Sequence, residues 1–105
     1  MKDNQKFLGL LGLAMRAGKV VSGEEGVLAA IKSQKAALVI IAENASDGTK
    51  KKFTDKSTYR DIPCRIAFEK EVLGHAIGKK TRAVIGIVDP GFATKMLEMI
   101  DWSLA

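Results

Sequence analysis

The chain carries one histidine, His75, and one cysteine, Cys64. With no cluster of His, Cys and carboxylates at metal-ligand spacing, the sequence offers no convincing acid–base or metal chemistry. Cys64 lies in an apolar stretch and reads as a core thiol. His75 reads as a surface or half-buried residue, because no partner nucleophile is evident. Gly18-Lys19 resembles the end of a phosphate loop, but the match fails. Position 13 is Leu, Val20 stands where Ser or Thr is required, and a helical pattern precedes it instead of a strand. What remains is recognition chemistry, in three stretches. Ser22-Gly23-Glu24-Glu25 opens a helical pattern, Glu43-Asn44 follows an apolar run, and Lys79-Lys80-Thr81-Arg82 forms a basic loop. Glu25 has two readings. It can close a capping box with Ser22 at the N-cap and Glu25 at N3, or its carboxylate can accept hydrogen bonds from nucleobase amino groups.

The elements that must position these stretches are legible from their patterns. Leu38 to Ala42 is apolar at every position, whereas a half-exposed strand alternates. An unbroken run this short reads as a strand buried on both faces. Polarity flips at Glu43 and Asn44, and Ser46 and Asp47 suit the start of a helix reaching about Tyr59, anchored by Phe53. Ligand sites of open α/β sheets gather at the carboxyl ends of strands, so function is expected near Glu43 and Asn44 and the loops beside them.

The rest follows in order. Residues 4–17 form a helix with Phe7, Leu11 and Ala14 on one stripe, ended by Gly18. Its Gly9 and Gly12 imply close packing against another element. Lys19 to Val21 reads as a short strand, and the helix after it runs to about Ser33. Ile62 to Phe68 reads as a strand with Cys64, Ile66 and Phe68 on a buried face and Pro63 at its start or at an edge. Lys70 to Ile77 is a helix with Val72, Leu73, Ala76 and Ile77 inward, stopped by Gly78. Ala83 to Val88 is a second buried strand. Asp89-Pro90 opens the last helix, with Phe92, Met96, Ile100 and Leu104 on its stripe and Trp102 either sealing the core edge or exposed. Helix and strand alternate throughout, which predicts a layered α/β sandwich around a four-stranded sheet with some parallel pairing.

Composition bounds the function classes. A chain of 105 residues is expected to form one domain with a core of its own, and 47% hydrophobic content excludes a disordered chain. No apolar run approaches a membrane span, and the start of the chain shows no small-residue cleavage site, so neither membrane insertion nor a signal peptide is expected. A lone cysteine fits a reducing cytoplasm. Net charge is +5, unevenly placed: residues 1–82 hold 16 basic and 9 acidic side chains, and residues 83–105 hold 1 and 3. A basic body with an acidic tail points to an anionic partner, nucleic acid first.

Several pieces together resemble one family. Gly12-Leu-Ala-Met-Arg-Ala-Gly-Lys19, followed by Gly23 opening a helix, is similar to the N-terminal half of the L-seven-Ae / L-thirty-e ribosomal proteins. Ala42-Glu43-Asn44-Ala45-Ser46 resembles that family's strand-to-helix turn, Leu73-Gly74-His75-Ala76-Ile77-Gly78 its Leu-Gly-x-Ala-x-Gly segment, and Asp89-Pro-Gly-Phe-Ala93 its bacterial branch. The resemblance implies a three-layer α/β/α sandwich with a central four-stranded mixed sheet. It also implies a cytoplasmic, non-enzymatic, monomeric RNA-binding protein without cofactors, its expected partners being ribosomal or other structured RNA of the kink-turn kind and ribosomal proteins. On that basis Lys19, Lys79, Lys80 and Arg82 are expected at phosphates, and Gly23 admits close approach of backbone amides. Glu25 accepts from a base edge, Glu43 keeps the family's acidic residue beside Asn44, and Thr81, Ala83 and Val84 stack or pack under an extruded base. The helix start departs from the family's Gly-x-Asn-Glu-x-x-Lys: Glu25, Gly26 and Ala29 occupy its last three defined positions. A protein-interaction module of the same fold, using Glu24-Glu25 and binding RNA only nonspecifically, is the alternative.

Overall fold

The computed structural model describes residues 4–104, with side-chain burial through Trp102. Along the chain run α1 (Asn4–Arg16), β1 (Val20–Ser22), α2 (Glu24–Lys32), β2 (Leu38–Ile41), α3 (Asp47–Tyr59), β3 (Cys64–Ile66), α4 (Lys70–Ala76), β4 (Val84–Ile87) and α5 (Pro90–Leu104). The two unbroken apolar runs, β2 and β4, take the middle of the sheet and are buried at every residue. The spatial order is β1-β4-β2-β3. β4 runs antiparallel to both β1 and β2, with Ile40 opposite Ile85 and Val21 opposite Gly86. β3 joins β2 in parallel, with Ile40 opposite Arg65. The sheet is therefore mixed, as expected.

Helices α2 and α3 pack side by side over one face, and α1, α4 and α5 cover the other. Phe7, Leu11, Val27, Ile31, Phe53, Leu73, Met96 and Ile100 close over the two central strands. Burying a side chain of this size contributes about 1.5–3 kcal/mol. Gly12 meets α4: a β-carbon there would sit 3.1 Å from the Ala76 carbonyl oxygen. Gly9 meets nothing within 4 Å, so the close packing expected of it is absent. Among the described residues no helix is long and apolar enough to cross a membrane.

Several local expectations are corrected. Ser22 does not cap α2: it is the last residue of β1, opposite Ile85, and Gly23 takes the N-cap position without any side-chain cap bond. Pairing with β4 holds Ser22 in the ladder, which removes its hydroxyl from the helix start. β3 is shorter than the apolar pattern implied. Its neighbour in the sheet, β2, ends at Ile41, and past Ile66 the two segments are joined outside the regular strands, by Ala67 N–H donating to the Ile41 carbonyl and Glu43 N–H donating to the Phe68 carbonyl. Phe68 leaves the strand direction entirely at φ 66° and stacks on Phe7, ring centroids 5.2 Å apart. As an edge strand, β3 leaves Ile66 45% exposed, not buried. Val72 is exposed too, on the outer side of α4, and Tyr59 and Trp102 stand in solvent. The inward place expected of Leu104 lies outside the described side chains.

Candidate nucleic-acid interface

Strand direction decides which residues meet. β1, β2 and β3 all point their carboxyl ends toward one edge of the sheet, and antiparallel β4 begins there. The chain leaves β1 into α2, β2 into α3 and β3 into α4 at that same edge, so three helix N-termini converge on it. A helix N-terminus carries unpaired N–H groups and a partial positive charge.

The edge is tied by backbone hydrogen bonds. Gly23 N–H donates to the Val84 carbonyl at 3.0 Å, Ala42 N–H to Ala83 at 2.8 Å, and Glu43 N–H to Phe68 at 2.7 Å. Arg82 N–H donates to the Lys70 carbonyl at 3.0 Å. Gly23 has φ 85° and ψ 157°, a region open essentially to glycine alone. Beyond its α-carbon nothing lies within 4 Å on the side-chain side, so the backbone of the α2 start faces open space. Gly74 serves the loop from below. A β-carbon there would lie 2.6–2.8 Å from three backbone atoms of Thr81, so the turn carrying Lys79 to Ala83 rests directly on α4.

Side chains divide into those engaged in structure and those free. Asn44 caps α4 from another element: its Oδ1 accepts from Lys70 N–H at 2.8 Å, and its Nδ2 donates to Glu71 Oε1 at 3.2 Å. Glu71's own backbone N–H, and then Asn44, hold its carboxyl below the usual range. Ser46 caps α3 through Thr49 N–H at 3.1 Å, and the Thr49 hydroxyl donates to Glu24 Oε2 at 2.9 Å, joining the starts of α2 and α3. Arg82 donates from Nε to Ser22 Oγ at 3.0 Å and from Nη1 to the Thr81 carbonyl at 2.7 Å, so much of its donor set faces inward. Glu25 and Glu43 are exposed and, among the described residues, make no side-chain hydrogen bond or ion pair. Lys79 and Lys80 are exposed on the loop. The edge thus offers two free carboxylate acceptors beside a free basic loop, with glycine backbone between them.

Of the residues expected from sequence, Gly23, Glu25, Glu43, Asn44 and Lys79 to Ala83 lie together at this edge. Lys19 does not. Its carbonyl accepts from Val88 N–H at 2.9 Å, at the opposite end of β1, roughly 13 Å from Gly23 along an extended strand. Sequence reasoning missed Thr49, Lys70 and Phe68, whose roles depend on which chain ends meet. Among the described residues no group of three or more His, Cys, Asp or Glu could hold a metal ion.

A model of the ribosomal protein L7Ae/L30e/S12e/Gadd45 family matches residues 5–97. The chain belongs to this family. It is 48% identical over 99 residues to an RNA-binding protein YlxQ of Enterococcus faecium, covering 94% of this chain and 95% of that one. It is 47% identical over 99 residues to the RNA-binding protein YlxQ of Bacillus subtilis (strain 168), covering 94% and 99%. A solved structure of a Bacillus halodurans protein of unknown function superposes with TM-score 0.89 at 44% identity, covering 91% and 97%. A Giardia lamblia 15.5kD RNA binding protein shares the fold, with TM-score 0.79 at 20% identity over 93% and 87%. The sandwich expected from the motif resemblance is thus the fold of this family.

Proposed function

We propose that the chain binds structured RNA at the sheet edge where α2, α3 and α4 begin. The convergence of Gly23, Glu43 and the Lys79–Ala83 turn on one edge, fixed by the Gly23–Val84 and Ala42–Ala83 hydrogen bonds, is the observation that carries this reading. The names of the two bacterial relatives support it. Lys79 and Lys80 neutralise phosphates, which attracts RNA without regard to sequence. Glu25 and Glu43 repel phosphates and accept from base-edge donors, which favours a bent RNA presenting base edges over a uniform duplex. Thr81 and Ala83 offer a small apolar ledge, seated on Gly74, under an unstacked base. Lys19 contributes only through long-range attraction. The activity is binding without a chemical step, by a single unit spanning residues 1–105, acting as a cytoplasmic monomer near ribosomal or other structured RNA.

The deciding experiment compares a model kink-turn RNA with a length-matched straight duplex across a salt series. A kink-turn preference of about tenfold or more near physiological salt is expected, a factor of roughly 1.4 kcal/mol. Equal binding of both that vanishes with salt would reject structured-RNA recognition and leave only nonspecific attraction.

A further inference from the structure

Helix α3 carries Lys50, Lys51, Lys52 and Lys56, a group of cations that the sheet edge does not use. Lys52, Lys56 and Tyr59 recur at i, i+4 and i+7 and therefore share one face of the helix, where they border a shallow depression with Asp55. Tyr59 is 83% exposed. Its ring is nonetheless held: the Arg60 guanidinium stands 5.7 Å from the ring centroid, and Arg60 is itself pinned by Nη1 donating to the Lys32 carbonyl at 3.0 Å. One face of an aromatic ring is braced by a cation fixed to α2, and the rest is left in solvent. Lys51 is engaged with Asp55 at 2.9 Å, whereas Lys56 has no carboxylate partner among the described residues.

This stripe is continuous with the candidate interface. Thr49 binds Glu24 at the start of α3, Lys52 stands 4.0 Å from Glu24, and Tyr59 follows one turn beyond Lys56. The distance from Thr49 to Tyr59 along the helix is roughly 15 Å. We infer that this face of α3 is a track for single-stranded RNA leaving the structured element bound at the sheet edge, with a base stacked on Tyr59 and phosphates against Lys52 and Lys56. The inference rests on the RNA-binding reading above. Single strands are held by this combination, cations following the backbone and exposed rings taking the bases irrespective of sequence. An acidic protein surface could also meet the lysines, whereas a single strand brings phosphates and bases at a regular spacing and so engages the lysines and the open ring together.

The test measures affinity near physiological salt for a blunt kink-turn RNA and for the same RNA extended by about 12 single-stranded nucleotides at its 5′ or its 3′ end. Wild type is expected to bind one extended RNA at least about fivefold more tightly than the blunt one. Tyr59→Ala should abolish that gain and leave blunt-RNA affinity unchanged, Tyr59→Phe should keep it, and Lys56→Gln should reduce it. If neither extension raises wild-type affinity, or if Tyr59→Ala leaves the gain intact, the track is overturned, and an acidic protein becomes the better occupant of the stripe. If wild type binds neither blunt nor extended RNA, the RNA-binding reading itself fails, and the track falls with it.

Discussion

At Gly23 the backbone does what another residue could do only under strain. A methyl group there would collide with nothing, so Gly23→Ala isolates the conformational term. The substitution is expected to destabilise the fold by about 1–3 kcal/mol, measured by denaturant unfolding, or else to relax the α2 start and weaken RNA binding at unchanged stability. Full stability with full RNA affinity would remove Gly23 from the site. Ser57 makes the opposite case. Its hydroxyl is buried without a well-formed hydrogen bond, although it and Thr54 lie near enough to Cys64 to oppose the upward shift that burial gives that thiol. Removing an unsatisfied buried hydroxyl without changing the shape of the core is neutral or favourable. Ser57→Ala should therefore keep the midpoint or raise stability by up to about 1 kcal/mol, and a clear loss would reveal a working bond to Cys64.

At the scale of elements, α4 and the loop after it act as one piece. Thr81 rests on Gly74, Arg82 is bonded to Lys70, and Asn44 holds the start of the helix. Gly74→Ala would drive a methyl group into the Thr81 backbone, and overpacking of this kind costs about 1–3 kcal/mol. Because the obstruction lies under the Lys79–Ala83 turn, RNA affinity should fall in the folded protein as well, which binding below the unfolding temperature would show. Lys79→Ala combined with Lys80→Ala removes charge without touching packing. It should lower affinity and flatten the logarithmic salt slope by roughly 1–2 units. An unchanged slope would take the loop out of the interface.

Across the whole molecule, charge is arranged so that the basic body stays available. Most of α5 is neutral or acidic, and its Asp101 binds Arg65 of the edge strand, Oδ1 to Nε at 2.7 Å and Oδ2 to Nη2 at 3.1 Å. Arg65 holds the Asp101 carboxyl below its ordinary range. A depressed carboxylate contributes stability above its unfolded pKa and loses it as pH falls through the lower folded value. The pair is largely exposed, so its contribution is a fraction of a kcal/mol. Asp101→Asn should lower the melting temperature slightly at neutral pH. That difference should shrink as pH falls below the ordinary carboxylate range, and a difference that persists in strong acid would mean the loss is one of packing.

Apolar runs and their punctuation by themselves determined the order of helices and strands, because the hydrophobic effect acts on each segment where it stands. Leu38 to Ala42 and the Val84–Ile87 core of the second run are fully buried because a strand without a polar face belongs in the middle of a sheet. Gly23, Glu43, Asn44 and the Lys79–Ala83 loop could be singled out because glycine, carboxylate and lysine mark chemistry at any position. Which of them share a site was decided by the tertiary structure, since pairing direction sets which strand ends meet. It brought Gly23 beside Val84, left Lys19 at the far end of β1, and turned Asn44 from a free recognition group into the cap of α4. Edge position decided what periodicity misread: β3 lies at the edge of the sheet and exposes Ile66, and Phe68, at positive φ, turns back onto Phe7. Long-range contacts of this kind join residues far apart in the chain, and no local pattern encodes them.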